Sequence, residues 1–201
     1  MMDFIPYGRQ SIDQSDIDAV TAVLRSDWLT TGPAVAEFEE ALAAMTGAHA
    51  IAVANGTAAL QCAYVAAGID GSADVVTTPM TFVATAAAAM TLGATVTFAD
   101  VSDDTLNLDP AAAEVTISNR TRAVAVVDFA GHPADLDPLR KIAHAHDALL
   151  VEDAAHAIGG SYRDRPIGSV ADLTTFSFHP VKTITTGEGG AVTAPDPDLL
   201  A

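Results

Sequence analysis

Apolar residues recur along this chain in two rhythms. Over 16–25 and 35–45 they fall three and four residues apart, which predicts two opening helices separated by the turn Trp28-Leu29-Thr30-Thr31-Gly32-Pro33. Short apolar runs at 49–54, 74–78, 95–99, 123–128 and 149–152 then alternate with helical stretches at 57–67, 82–92 and 136–146. Short runs that are apolar at consecutive positions read as strands buried on both faces, and the helices between them read as crossovers. The pattern predicts an α/β fold: a mainly parallel sheet with helices on both faces. Two further strands, 174–178 and 191–194, bracket a loop rich in glycine and hydroxyls. Asp196-Pro197-Asp198 reads as a turn into another helix, so 1–201 is expected to be one unit of a longer protein.

Composition narrows the function classes. Half of the 201 residues are apolar, enough for the core of one ordinary domain. Twenty-six acidic against nine basic residues give a formal charge of −17, which disfavours nucleic acid and anionic membrane as partners. Cys62 is the single cysteine, so no disulfide framework or cysteine metal cluster is expected; its Ala-rich surroundings predict a small core residue. No window approaches the roughly 20 apolar residues of a membrane span, and 1–6 lack a basic region followed by an apolar one. A cytoplasmic protein is the expectation.

Candidate chemistry gathers at predicted strand ends, where ligands bind open parallel sheets. Lysine occurs twice, as Lys141 and Lys182, and the second lies within Phe176-Ser177-Phe178-His179-Pro180-Val181-Lys182-Thr183-Ile184-Thr185-Thr186-Gly187-Glu188-Gly189-Gly190. Partial burial there would depress its pKa and free the lone pair for covalent chemistry; a lysine whose stem lies on the strand end and whose head reaches water is the simpler alternative. Asn55-Gly56-Thr57-Ala58 joins a strand to a helix and suits a phosphate, through open N–H groups and the helix dipole, although a plain N-cap explains it equally well. Val151-Glu152-Asp153-Ala154-Ala155-His156 ends an apolar strand. Alternation sends Glu152 and Asp153 to opposite faces, so only one can meet a given ligand. A buried carboxylate needs a cationic partner, which a protonated pyridine nitrogen would supply to Asp153; capping of a following helix is the alternative. His144 and His146, beside Asp147, are two apart and do not share a helix face, so no metal site is expected. No dinucleotide, P-loop or nucleophile-elbow motif occurs.

Together with Thr78-Pro79-Met80-Thr81-Phe82-Val83-Ala84-Thr85, these segments resemble, in order and over nearly the whole chain, the DegT/DnrJ/EryC1/StrS family of nucleotide-sugar aminotransferases. The resemblance implies the large domain of a PLP-dependent transferase of the aspartate aminotransferase type, fold type I. It also implies a smaller C-terminal domain beyond residue 201, and a homodimer with active sites between subunits. The implied cofactor is pyridoxal 5'-phosphate (PLP). By motif, Lys182 corresponds to the Schiff-base lysine, Asp153 to the partner of the pyridine nitrogen and Phe82 to the ring stacked on the cofactor. His156 would lie by the ring hydroxyl, and Gly56, Thr57, Ala58 and Ser177 would cradle the phosphate. Pro6-Tyr7-Gly8-Arg9-Gln10, Ser26-Asp27-Trp28-Leu29-Thr30 and His179-Pro180-Val181-Lys182 resemble most the branch that aminates the C4 ketone of a UDP-linked 4-keto-6-deoxy sugar on the way to pseudaminic acid, with glutamate as donor. Tyr7, Asp27, Trp28, Leu29 and Thr30 would then line the sugar site. Related sugar 3-dehydratases carry histidine at the position of Lys182, so lysine favours amino transfer over that rival; a non-catalytic sensor or assembly protein of the same fold is the other alternative.

Overall fold

The computed structural model describes residues 8–201. Asp13 starts the first helix, α1 (Gln14–Arg25), by accepting from the Ser15 and Asp16 N–H groups, while the Asp16 side chain accepts from the Asp13 N–H: a reciprocal capping box. Pro33 opens α2 (Pro33–Thr46), and Gly47, at φ +72°, ends it in the left-handed conformation that lacks a penalty only without a Cβ. Strand β1 (His49–Val53) leads to α3 (Gly56–Ala66), then β2 (Asp74–Thr77), α4 (Ala84–Thr91) and β3 (Thr95–Phe98). After α5 (Pro110–Thr116) come β4 (Thr121–Val127), α6 (Leu136–Ala145) and β5 (Leu149–Asp153), then a hairpin of β6 (Ser161–Tyr162) and β7 (Arg165–Pro166), β8 (Leu173–Ser177) and β9 (Gly190–Ala194).

Seven strands form one sheet in the order β1-β9-β8-β5-β4-β2-β3. Neighbours from β3 through β8 run parallel, and β9 alone runs against them, pairing antiparallel with both β8 and β1. The fold is thus α/β with a mostly parallel sheet, as the strand–helix rhythm predicts. Side-chain alternation divides the core in two. Val76, Val124, Val126, Leu150 and Phe176 face a layer holding Leu42 of α2 and Leu136 and Leu139 of α6. Val75, Ala123, Ala125, Val151 and Leu173 face α3 and α4. The carboxyl ends of β1, β2, β4, β5 and β8 meet at one edge, and their following loops build the site.

Some elements depart from the sequence pattern. Helix α5 has too few apolar residues for a periodic signal and rests on Asp109, whose side chain accepts from the Ala112 N–H at 2.8 Å. The β6–β7 hairpin turns on Arg163 and Asp164, both at positive φ without glycine, and so escaped notice. Helix α4 starts at Ala84 rather than residue 82, because hydroxyls hold 78–85 in a turn: the Met80 N–H donates to Thr78 Oγ1 at 3.0 Å, and the Thr81 and Thr85 hydroxyls bond at 2.6 Å. Cys62 is exposed on α3, not in the core, since the buried face of that helix runs through Ala59, Leu60, Ala63 and Tyr64. His144 lies on α6, where its Nε2 meets Asp172 at 2.8 Å. Among the described residues no helix is long and apolar enough to cross a membrane.

Leu139 is fully buried where α6 lies on the sheet. Leu139→Ala is expected to lower unfolding free energy by about 2–5 kcal/mol in urea titrations, a loss below about 1 kcal/mol contradicting this packing.

Candidate active site

A cavity of about 420 Å³ opens at the carboxyl edge of the sheet, and both Asp153 and Lys182 line it. Asp153 ends β5 with 7% of its surface exposed. Its Oδ2 accepts from the Thr85 hydroxyl at 2.7 Å and its Oδ1 from the Ala155 N–H at 3.3 Å. Burial raises its pKa above the ordinary carboxylate range; the two hydrogen bonds and the positive charges of Lys182 and His156 pull the other way. None of the ion pairs among the described residues involves Asp153. The carboxylate is therefore desolvated, held in position and short of a cation. Turns, not a helix, follow β5, so Asp153 does not serve as a helix cap. Thr85 is itself fixed, since the hydroxyl of the fully buried Tyr64 donates to its carbonyl at 2.7 Å.

Lys182 stands in the turn after β8, where its N–H donates to the His179 carbonyl at 2.9 Å. Its Nζ lies 2.8 Å from His156 Nε2. Burial depresses the lysine pKa, opposed by the charge of Asp153; burial and then the Lys182 charge depress that of His156. A neutral imidazole can thus accept from the ammonium, and a neutral amine is more accessible here than on an ordinary lysine.

The third corner is the start of α3. Asn55 caps this helix by accepting from the Ala58 N–H at 2.8 Å, so the amide of Ala58 is already committed. Gly56 and Thr57 N–H find no acceptor among the described residues, and both residues line the cavity. Gly56 is required by close approach: a Cβ there would fall 2.8 Å from Ser177 Cβ and 3.1 Å from its Oγ. Opposite, Phe82 is 73% exposed at the cavity's lip.

Lys182, Asp153, Gly56, Thr57, Phe82 and Ser177 therefore share one hollow, with His156 joined through Lys182. Asp27, Trp28, Leu29 and Thr30 lie in the exposed turn between α1 and α2, and none lines this cavity. Tyr7 lies outside the described residues. Thr85 was missed as a site residue. Its signal was its place at the end of the 78–85 motif, but only folding shows that it faces Asp153, 68 residues away.

A family model described as the DegT/DnrJ/EryC1/StrS aminotransferase family matches residues 10–201. The chain belongs to this family. It is 45% identical over 201 residues to the UDP-4-amino-4,6-dideoxy-N-acetyl-beta-L-altrosamine transaminase of Campylobacter jejuni, covering 98% of this chain and 53% of that protein. Among solved structures it resembles Helicobacter pylori PseC, an aminotransferase involved in the biosynthesis of pseudoaminic acid, at TM-score 0.90 and 36% identity over 96% of this chain and 53% of the other. It also resembles Spr1654 of Streptococcus pneumoniae in its PLP form, at TM-score 0.93 and 32% identity over 96% and 54%. The chain spans about half the length of the curated relatives it matches.

The family's cofactor fits the residues present. A pyridine ring between Lys182 and Asp153 would supply the cation that Asp153 lacks, and a phosphate would meet the open Gly56 and Thr57 amides beside the Ser177 hydroxyl. Replacing Thr85 by valine removes a hydroxyl that favours ionised Asp153. Carbon-detected NMR titration of Thr85→Val should place the Asp153 carboxyl higher than in the wild type, and an unchanged or lower titration would contradict this contact.

Proposed function

We propose that this protein is a PLP-dependent aminotransferase that moves an amino group from glutamate to the C4 ketone of a UDP-linked 4-keto-6-deoxy sugar, in pseudaminic acid biosynthesis. The reading includes a cytoplasmic homodimer, as the family resemblance implies. What carries it is the convergence of Lys182 and Asp153 on one cavity whose third corner offers two unpaired backbone amides. The C4-amino sugar in the name of the Campylobacter relative and the pathway in that of PseC support the choice of substrate.

The bound cofactor supplies an electron-withdrawing pyridinium ring that stabilises charge on a carbon losing its proton. The protein does the rest. Lys182 would hold the cofactor through its amine, and its Nζ would accept the proton from the substrate carbon. Burial lowers the basicity of that amine and so enlarges the fraction that is free to take a proton. His156, 2.8 Å away, orients it. Asp153 holds the ring nitrogen protonated, and Thr85 holds Asp153. Gly56, Thr57 and Ser177 would hold the phosphate, and Phe82, at the cavity's lip, would help to exclude water from it. Lysine at 182, rather than histidine, favours amino transfer over dehydration.

Incubation with PLP, glutamate and a panel of UDP-linked keto sugars, with product mass and regiochemistry as readout, tests the substrate; amination at a carbon other than C4 would overturn it. Lys182→Ala should abolish turnover and remove the peptide mass increase that borohydride fixes at this lysine, leaving the fold intact. Asp153→Asn should raise the barrier by on the order of 3 kcal/mol, and a rate within about twofold of wild type would exclude the role given to Asp153.

A further inference from the structure

Two buried carboxyls have no part in the chemistry above. Asp128 follows β4 and Glu152 precedes Asp153 on β5, at 1% and 0% exposure. Val126 pairs with Glu152 and Val127 with Asp153, so alternation places Asp128 and Glu152 on one sheet face and Asp153 on the other. One oxygen of each is satisfied: Asp128 Oδ1 accepts from the Ala134 N–H at 3.0 Å, and Glu152 Oε2 from the Thr174 hydroxyl at 2.7 Å. Asp128 Oδ2 and Glu152 Oε1 are buried with no hydrogen-bond partner among the described residues, and each carboxyl shifts the titration of the other. A proton shared between the two carboxyls would give both of these oxygens a partner in this interior.

The segment that this contact holds reaches the active site. The Asp128 N–H donates to the Asp153 carbonyl at 3.1 Å. A 3₁₀ turn, Phe129–Gly131, follows, and Gly131, at φ +84°, approaches so closely that a Cβ would stand 3.0 Å from the His156 carbonyl oxygen. Asn107 fixes the turn from outside, accepting from the Phe129 N–H and donating to the His132 carbonyl, each at 2.9 Å. The 128–134 segment thus braces the backbone of both Asp153 and His156.

We propose that Asp128 and Glu152 share one proton and act as a positioning pair, holding the 128–134 turn beneath residues 153–156 and so keeping His156 against Lys182. The consequence for Lys182 rests on the functional reading above; the shared proton does not.

The facing groups give the pair a pH dependence. From β8 it meets the Thr174 hydroxyl and from the turn the Ala134 N–H, with the Gly168 N–H of the loop before that strand also favouring ionised Glu152; Asp153 is the further charge acting on both carboxyls, and the largest influences on them include no Lys, Arg or His. Burial raises both, Asp128 well above the ordinary range and Glu152 to about 7. The folded chain therefore holds a proton that the unfolded chain has released. The stability that proton binding confers is complete below the unfolded value of 4.5, starts to fall as pH rises through about 7, where Glu152 titrates, and falls further where Asp128 releases the last proton.

Infrared difference spectra of the full chain at neutral pH, without cofactor, read the C=O stretch of a protonated carboxyl directly. Wild type should show one such band, and both Asp128→Asn and Glu152→Gln should lose it, each amide supplying an N–H where the proton was. Urea midpoints of wild type should fall as pH rises from about 5 to about 8, and those of Glu152→Gln should fall less. The nitrogen shift of His156 Nε2 should follow the pair's titration in wild type and lose that component in Glu152→Gln. Absence of the band in wild type, or its survival in both variants, overturns the shared proton; a His156 shift indifferent to Glu152→Gln overturns the positioning role. Should one variant fail to fold, the double amide variant carries the same comparison. None of these readouts depends on PLP attachment at Lys182, so failure of the functional reading would appear separately.

Discussion

Desolvation of one carboxylate is the constraint around which this molecule is organised. Asp153 sits at the end of a strand buried on both faces, where little water reaches its charge and, among the described residues, no side-chain cation forms an ion pair with it. Two hydrogen bonds, from Thr85 and the Ala155 amide, offset part of that cost, and the remainder creates an affinity for a cation entering the cavity. Thr85 can serve only because α4 is docked against α3, with the buried Tyr64 hydroxyl bonded to its carbonyl. The fully buried Tyr64 thus helps to fix the hydroxyl that holds Asp153 in place.

The lysine obeys the same logic with the opposite sign. Burial depresses its basicity, the nearby Asp153 charge restrains that depression, and His156 supplies a polar contact that a half-buried amine needs. Asp153 favours a charged amine and burial a neutral one, which leaves proton transfer in both directions accessible. On the far face of β5 a second acid pair meets a similar desolvation by a different route. Asp153 awaits a cation, whereas Asp128 and Glu152 retain a proton. Adjacent residues of a single strand therefore carry carboxyls with distinct chemistry, separated by the thickness of the sheet.

Much of the architecture was legible because its signals are local. Short apolar strands of four to seven residues between helices announced the mostly parallel sheet, although β1 and β3, expected to be buried on both faces, are its edges and stay partly exposed, and alternation along 149–153 separated Glu152 from Asp153. Helix α1 shows the limit of periodicity. Ile17, Val20 and Leu24 give it an apolar stripe, yet none of its residues is buried in this chain; the period predicts a helix, not what covers it. The same limit misplaced Cys62, since small residues surround α3 on all sides and do not reveal which face meets the sheet.

Sequence alone determined the fold class, the strand ends that would carry chemistry and the residue types gathered there, because backbone periodicity, capping and motif spacing depend on near neighbours. Tertiary structure decided that Thr85 reaches Asp153 across 68 positions and that Asp128 and Glu152 come to lie on one face of the sheet. Those outcomes depend on strand order and register, which bring distant segments together and for which no short stretch of chain contains the information.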